Sequence, residues 1–513
     1  MNTPHDTAME RRPLTLAQVA DALDRQRLLL DAAGNPDTCI LNATDDSRAV
    51  AAGSLFCAIA GERVDARKFI PDAHAAGAAA VMLQGDTAVP DGLPALRVRD
   101  DRRAAGVVAE LAAGFPARHF RTFAITGTNG KTTSAYLLRH VLQRCGLRTA
   151  MLGTVEYDLG NGQKMPASRT TPTPFALQKL FQDIYSNGCE ACVMELSSHA
   201  LHQQRIGTMA FDGAIFTNLT QDHLDYHHTL ENYFQAKKRL FTHHLKPGAP
   251  AVINADDDFG ARLARELTHN LAERQTVSFS VKNLCAPVCV HVKDLLLSAT
   301  GTECALTFPD GTWSMASPLA GLYNGYNLAG VAILAHELGL PRPTVQQALA
   351  TCLAAPGRLQ KLPCSRPFAI FVDYAHTPDA LSNVLACLRD LTPKPARLIA
   401  VFGCGGDRDR TKRPQMGAIA ANLADIAIVT SDNPRSEDPE RIIDDILAGI
   451  PTPAPHPVLR QADRAQAIRD AIHSALPGDC ILIAGKGHED YQEINGVKHP
   501  FSDAACVADI LGE

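Results

Sequence analysis

No stretch of the chain holds about 18 consecutive apolar residues, so no membrane-spanning helix is expected. Met1 to Arg12 is polar and lacks the apolar core of a signal peptide. Positive charge is not in excess. Against 49 Lys and Arg stand 55 Asp and Glu, and the net charge of −6 gives no reason to expect nucleic acid or an anionic membrane as partner. A paired set of metal-binding cysteines is also missing. Cys189 and Cys192 form a CxxC, but no second pair of ligands follows at zinc spacing. The 14 cysteines are scattered, often inside apolar runs such as Leu55-Phe-Cys-Ala-Ile59, and read as reduced, buried thiols of a cytoplasmic protein. The GxGxxG of dinucleotide sites is absent, and Gly403-Cys-Gly-Gly406 is only Gly-rich, so no dinucleotide is expected. What remains is ordinary globular composition, 46% apolar and 20% charged. The 513 residues suggest three domains at about 150 residues each.

The stretch with the sharpest chemistry is Thr122-Phe-Ala-Ile-Thr-Gly-Thr-Asn-Gly-Lys-Thr-Thr133. A short apolar and β-branched run reads as a buried strand. It turns through Gly127, Asn129 and Gly130, and Lys131 opens a helical pattern that runs to about Cys145. Strand, Gly-rich turn and helix N-terminus together make an anion site, because backbone N–H groups and the helix dipole both favour negative charge there. Ile125 stands where the full phosphate-loop pattern has its first glycine. Lys131 can still reach a terminal phosphate, and the Thr132 hydroxyl can sit on Mg²⁺.

Around this loop the chain alternates strand and helix patterns. The expected fold class is α/β in three domains: a small N-terminal unit over 1–118, a central parallel sheet over 119–353, and a Rossmann-like unit over 354–513. In the first, Leu55–Ile59 and Ala79–Leu83 read as strands, with helical spacing over Lys68–Ala76 and Arg102–Ala113. Thr44-Asp-Asp-Ser-Arg48 reads as a turn or as a set of hydroxyl and guanidinium donors for an anion. In the second, Ala191–Leu196 ends in Glu195, Gly213–Thr217 runs into Asn218–Asp225, and Ala251–Asp256 repeats the strand-then-acid design. Polar residues thus crowd the carboxyl ends of strands, where open α/β sheets bind ligands. Glu195 alone reads as a cap or as a Mg²⁺ ligand, and His223 alone as structural; their shared sheet edge favours the site. Val281–Trp313 reads as an antiparallel excursion, and strands at Phe368–Val372, Arg397–Phe402, Ile426–Thr430 and Cys480–Ala484 alternate with helices thereafter. Ile494-Asn-Gly-Val497 reads as a hairpin turn.

Several motifs in one order, Gly127–Thr132, Glu195-Leu-Ser-Ser-His199, Asp222–His227, Asn324-Gly-Tyr-Asn327, Pro356-Gly-Arg358 and Asp373-Tyr-Ala-His376, resemble the Mur ligase family across essentially the whole chain. Its members are ATP-dependent amide-bond ligases of peptidoglycan synthesis. Thr44–Arg48, with Gly61, Asp65 and Arg67, is similar to the uridine-binding N-terminal domain of one branch. The resemblance implies ATP contacts at Gly127, Thr128, Asn129, Gly130, Lys131, Thr132, Thr133, Asn324, Asn327, Arg358, Asp373 and His376. It implies a Mg²⁺ site at Thr132, Glu195, His223 and Lys237, the last as a carbamylated lysine whose oxygens replace its charge. The neighbouring Lys238 makes that assignment a matter of register. Ser47, Arg48, Thr170, Thr171, Ser197, Gln203 and Arg205 are implied contacts to a UDP-muramoyl dipeptide. Lys131, Lys237 and Arg358 are the implied catalytic residues, with Arg358 arriving as the third domain closes.

Asp432, Asn433, Pro434 and Arg435 resemble the signature of family members that add meso-diaminopimelate, with Arg408, Gly485 and Glu489 completing the pocket. Diaminopimelate differs from lysine by one carboxylate, which a planar guanidinium can grip with two parallel hydrogen bonds. The implied reaction joins the D-glutamyl γ-carboxyl of UDP-MurNAc-L-Ala-D-Glu to an amine of diaminopimelate through an acyl phosphate, releasing ADP and phosphate. The substrates are small molecules, with ATP as co-substrate, and the chain is expected to act as a cytoplasmic monomer. Two competing readings are a folylpolyglutamate synthase-like ligase and a P-loop regulatory ATPase. The N-terminal uridine-type unit and the Asp432–Arg435 motif disfavour both.

Overall fold

A computed structural model describes residues 13–61, 64–270, 275–282, 289–298 and 301–512. The polar N-terminal stretch 1–12 and part of the expected antiparallel excursion lie outside the described residues. The chain divides into two compact units, Met1–Val290 with Gly330–Val345, and His291–Ala329 with Gln346–Glu513.

The first unit holds a short antiparallel pair, Leu14–Thr15 with Cys39–Ile40, and two larger sheets. In the N-terminal sheet the strands Asn42–Thr44, Ser54–Ala58, Ala80–Gln84 and Ala95–Val98 run parallel, and Leu29–Ala33 pairs antiparallel with Ala95–Val98 at the edge. Leu16–Arg25 and Leu29–Ala33 were not legible as elements, although Thr15 and Gln18 form a reciprocal capping box at the start of that helix. The strand Leu29–Ala33 is mostly exposed, so it lacks the apolar run that marks a buried strand.

The larger sheet of this unit places the parallel strands in the spatial order Thr149–Leu152, Ala191–Glu195, Arg121–Thr126, Gly213–Phe216, Pro250–Asn254, Gln275–Ser280. Both faces of these strands are buried, which explains their continuous apolar composition. The strand Arg121–Thr126 lies between Ala191–Glu195 and Gly213–Phe216, so the chain turns into the helix Lys131–Arg144 at a point where strand order reverses. That reversal opens the crevice in which open α/β sheets hold ligands.

Glu110, on the helix Asp101–Ala113, ties the two sheets of this unit together. Its carboxylate accepts from the backbone N–H of Thr208 at 2.8 Å and from the Thr208 hydroxyl. Burial pushes this carboxyl up to about 7. Gly106 on the same helix comes so close to Gly207 that a side chain at either would clash.

Val290–Ser298, Gly301–Phe308 and Gly311–Ser317, which but for Val290 belong to the second unit, form an antiparallel meander, as expected where they are described. The remaining strands make a parallel sheet in the order Ala369–Asp373, Cys480–Ala484, Leu398–Phe402, Ile426–Val429, Val458–Arg460, with the short Gln360–Lys361 antiparallel at one edge. One face packs on the helices Pro378–Asp390, Lys412–Leu423 and Pro439–Leu447, and the other on Arg464–Ser474 and Asp503–Leu511. The hairpin Tyr491–Ile494/Val497–Pro500 turns through Asn495 and Gly496, both left-handed, as a two-residue turn of that sequence requires.

A fully buried ion pair anchors this sheet's carboxyl edge. Arg464 donates Nε to Asp503 Oδ1 at 2.7 Å and Nη2 to Oδ2 at 2.8 Å, and its Nη2 also reaches the Ala484 carbonyl at 3.0 Å. Removing one partner of such a pair leaves an uncompensated charge in the interior. Asp503→Ala is therefore expected to destabilise the chain by about 3–5 kcal/mol. Chemical denaturation reads this directly; an unchanged midpoint would contradict it.

Among the described residues every cysteine is free, with Cys57, Cys189 and Cys192 buried and Cys39 and Cys289 exposed. Burial holds the Cys189 thiol up at about 11 and Cys192 well above the usual range, so the CxxC is an inert part of the core. Among the described residues no helix is long and apolar enough to cross a membrane.

Candidate functional site

The phosphate-type loop lies at the carboxyl end of the central strand. Gly127 accepts no substitute, since a Cβ there would overlap the Thr217 hydroxyl at the end of the neighbouring strand. Asn218 fixes the loop from the same side: its carbonyl accepts from Thr128 N at 2.9 Å and its side-chain oxygen from Asn129 N at 2.9 Å. Thr128 also meets the Tyr233 hydroxyl at 3.2 Å. Gly130 caps the helix Lys131–Arg144 in the left-handed region, and no side chain caps that helix end. The positive end of the helix is thus left to an anion. Lys131 folds over the loop, donating to the carbonyls of Gly127 at 2.9 Å and Thr128 at 2.8 Å.

Glu195 is fully buried beside the loop. It accepts from Thr132 Oγ1, Thr154 Oγ1 and Thr154 N, each at 2.9 Å. Because Thr132 gives its only proton to Glu195, its lone pairs are directed elsewhere, as a metal-binding hydroxyl requires. These three donors are all neutral, so this buried carboxylate has charge to share with a cation.

Of the two adjacent lysines, Lys237 is the one at the loop. It is 1% exposed, donates Nζ to the Gly127 carbonyl at 2.7 Å and lies 4.6 Å from the Tyr233 ring centre. Burial and then the nearby Lys131 cation pull its amine well below the usual lysine range, against the pull of Asp222. Lys238 instead pairs with Glu266 at 2.5 Å. His223 stands left-handed at the start of the short helix Leu224–His227, and burial lowers its basicity despite Asp222. Its ring packs edge-on against His199 at 4.8 Å, within a cluster that includes Tyr226 and His227.

A chain of hydrogen bonds leads away from Glu195. Thr171 Oγ1 donates to the Glu195 carbonyl at 2.8 Å and accepts from Ser197 N at 3.1 Å. Arg205 donates to the Thr171 carbonyl at 3.0 Å and to Gln203 Oε1 at 2.7 Å, while Thr170 and Thr154 share a hydroxyl contact at 3.2 Å. The structure therefore gathers Thr170, Thr171, Ser197, Gln203 and Arg205 around the buried acid. In the Thr44–Arg48 turn, burial pushes the Asp45 carboxyl up, against the pull of the Arg169 cation. Asp46 caps a short turn at Ser47–Ala49 and grips Arg48 at 2.8 and 2.9 Å; Asp65 does the same for Arg67.

The other motifs belong to the second unit. Asn324 and Asn327 are buried on the helix Leu322–Glu337, joined at 3.3 Å. Asp373 accepts from Leu359 N at 2.6 Å; burial raises its carboxyl, against the nearby Arg358 cation. The Arg358 guanidinium lies over Tyr374 at 4.9 Å, and its buried Nε has no hydrogen-bond partner in the described structure. His488, also against Tyr374, has an equally unpartnered Nδ1 and is held down to about 4 by burial. His376 Nδ1 lies 2.8 Å from the Tyr374 carbonyl.

The Asp432–Arg435 loop follows the strand Ile426–Val429 at the sheet's carboxyl edge. Arg435 is left-handed, with φ 53°, and bonded on both sides to the hairpin: its N–H donates to the Glu493 carbonyl at 3.0 Å, and Asn495 N donates to its carbonyl at 2.7 Å. Its Nη1 donates to the Gly406 carbonyl at 2.8 Å, and Nε faces Glu493 at 3.3 Å. Asn433 donates to Glu489 at 2.8 Å. Gly485 leaves no room for a side chain, since a Cβ would overlap the Asp432 carboxylate. Arg408 lies on an exposed loop, donating to the Asp407 carbonyl at 3.1 Å. Thr154, Tyr233, Lys486 and Glu493 carry no sequence signal of their own. Each enters the site through tertiary contact.

Three family models match the chain: "Mur ligase family, catalytic domain" over 42–116, "Mur ligase middle domain" over 125–335, and "Mur ligase, glutamate ligase domain" over 357–487. A curated UDP-N-acetylmuramoyl-L-alanyl-D-glutamate–2,6-diaminopimelate ligase of Synechococcus elongatus is 44% identical over 503 residues, covering 96% of this chain and 97% of its own. A solved structure bearing the same enzyme name is 34% identical with a TM-score of 0.71, covering 98% of this chain and 99% of that one. A Mycobacterium tuberculosis folylpolyglutamate synthase solved with ADP and AMPPCP shares the fold, with a TM-score of 0.60 at 17% identity, over 80% of this chain and 95% of its own. With three successive domain models and a near full-length relative in agreement, the chain belongs to the Mur ligase family.

Proposed function

We propose that this chain is an ATP-dependent ligase that adds meso-2,6-diaminopimelate to UDP-N-acetylmuramoyl-L-alanyl-D-glutamate, in the cytoplasm, for peptidoglycan synthesis. The observation that carries the choice of amino acid is the Asp432–Arg435 loop. A guanidinium has five donors in a rigid fork, and the contacts of Arg435 to Gly406 and Glu493 use only part of them. Beside it, the carboxylates of Asp432 and Glu489 suit the ammonium groups of an amino acid that carries two of each charge.

A carboxylate is a poor acyl donor at neutral pH. Transfer of the γ-phosphoryl group of ATP makes it an acyl phosphate, the amine attacks the carbonyl carbon, and phosphate leaves with the amide formed. The protein's share of such chemistry is positioning and charge neutralisation. Gly127 to Thr133 would cradle the phosphates, with Lys131 opposing their charge. Asn324, Asn327, Arg358, Asp373 and His376 are the further nucleotide contacts we propose, and the unpartnered Arg358 Nε fits an anion. Thr132, Glu195, His223 and carbamylated Lys237 would hold Mg²⁺, which when bound neutralises the phosphoryl oxygens. The lowered basicity of Lys237 supports the carbamate, since a neutral amine is the form that attacks CO₂. Ser47, Arg48, Thr170, Thr171, Ser197, Gln203 and Arg205 would hold the nucleotide-sugar dipeptide.

ADP release with the nucleotide-sugar dipeptide, comparing meso-diaminopimelate with L-lysine, tests the whole reading. Only the first is expected to support turnover. Arg435→Ala should raise the KM for diaminopimelate about 10- to 100-fold, the worth of a charged hydrogen-bonded contact, and leave that for ATP within about twofold. A selective loss of ATP affinity would place Arg435 elsewhere.

A further inference from the structure

We infer that Lys486 is a positioning residue of the amino-acid pocket, fixing the Asn433 amide and the Glu489 carboxylate that receive the incoming diamine. This rests on the diaminopimelate reading of the Asp432–Arg435 loop. Lys486 lies in Ala484-Gly-Lys-Gly-His-Glu489, just past the strand Cys480–Ala484. Its side chain is 0% exposed.

A buried ammonium must spend its three donors on acceptors or bear a large desolvation cost. Lys486 Nζ donates to Asn433 Oδ1 at 2.9 Å and to Glu489 Oε2 at 3.3 Å, and lies 3.7 Å from Asp432 Oδ1. The Tyr491 ring stands at 5.7 Å. One cation thus balances two carboxylates that line the pocket. Without it, Asp432 and Glu489 would repel each other and any ligand carboxylate brought toward Arg435.

The contact to Asn433 does more than balance charge. An ammonium can only donate, and so can a backbone N–H. Asn433 Oδ1 accepts from both Lys486 Nζ and Glu493 N, the latter at 3.0 Å. Turning the amide over would set its NH₂ group against those two donors. Nδ2 is therefore forced to the Glu489 side, where it donates to Oε2 at 2.8 Å. Glu489 Oε2 is held by Asn433 and Lys486 together, which fixes the direction of its other oxygen. Lys486 thereby sets the orientation of two pocket groups while itself lying behind them. Gln492 braces the same loop through the Asp432 carbonyl at 2.7 Å, but it restrains backbone and leaves the amide free to turn.

The test compares full-length wild type, K486M, N433A, the double variant and K486R, with KM measured for each substrate and folding followed by circular dichroism and thermal melting. K486M is expected to raise the KM for diaminopimelate about tenfold or more, with the KM values for ATP and the nucleotide-sugar within about twofold. In the N433A background the same change should cost less than about threefold, because the amide that Lys486 orients is gone. K486R keeps a buried cationic donor and should recover most of the loss. The inference is overturned if K486M leaves the diaminopimelate KM within about twofold, if all KM values rise together, or if the two substitutions multiply independently. Should K486M not fold, K486Q, which keeps a polar donor but no charge, takes its place and is read by the same thresholds for the three KM values and in the N433A background. Wild type separates the two levels. Absence of diaminopimelate-dependent ADP release there sinks the functional reading itself, whereas an active wild type with an indifferent K486M sinks only the role of Lys486.

Discussion

Lys131→Ala is expected to lower ligation at saturating substrates by about a thousandfold, the scale on which removing one preorganised charge-stabilising donor acts. The lysine is held over the loop by the carbonyls of Gly127 and Thr128. It is therefore in place before substrate arrives and needs little reorganisation when charge moves on the phosphates. Its methylene stem and two backbone contacts are a minor part of the loop's own support, which comes from Asn218 and Thr217. The variant should accordingly fold with a melting temperature near that of wild type. Turnover close to wild type, measured as ADP and amide formed together, would refute the phosphate role. Persistence of ADP release without amide would show that Lys131 serves coupling rather than phosphoryl transfer.

The second large effect is expected at Lys237. Lys237→Ala should reduce activity about a hundredfold, the upper range for losing a group that orients a metal site. Short-chain carboxylic acids added to the assay should recover part of it, because they return an oxygen ligand to the space the side chain left. Lys238→Ala should stay within about twofold, since Lys238 is engaged with Glu266 and it is Lys237 that touches the loop. The contrast is useful because burial alone predicts a stability loss for Lys237→Ala but no rescue by acids. Full activity in Lys237→Ala, or rescue confined to Lys238→Ala, would remove the carbamate reading.

Much of the scaffold was legible because both faces of its main strands are covered. Val193 and Met194 point to opposite sides of the sheet, yet both are fully buried, so the run Ala191–Glu195 is apolar throughout and visible without alignment. The helix Leu230–His243, which carries Lys237, was missed although Thr229 caps it through Asn232 N. Its apolar positions are interrupted by the lysines and arginine that make it read as a solvated segment. The helix Leu322–Glu337 was missed for the opposite reason: it is buried on nearly every side, which removes the amphipathic period that announces a helix. At the site, Lys131, Thr132 and Glu195 were legible because each ends or follows an apolar run. Thr154, Tyr233 and His488 were not, since a single polar residue in a loop or on a helix looks the same whether or not a ligand site lies above it.

By itself the sequence determined the alternation of the main buried strands with helices and the glycine-bearing turn before Lys131. Local chemistry dictates each of these: apolar runs must be buried, and glycine alone tolerates the backbone at Gly127. Only the tertiary structure decided which charges leave water. Lys237, Arg464 and Lys486 are written in the same letters as any surface cation, and their burial follows from what other segments bring to them: the Gly127 carbonyl, the Asp503 carboxylate, and the Asn433 amide with Glu489. A charge is kept inside only by partners distant in the chain, and distance in the chain is what a sequence read residue by residue does not express.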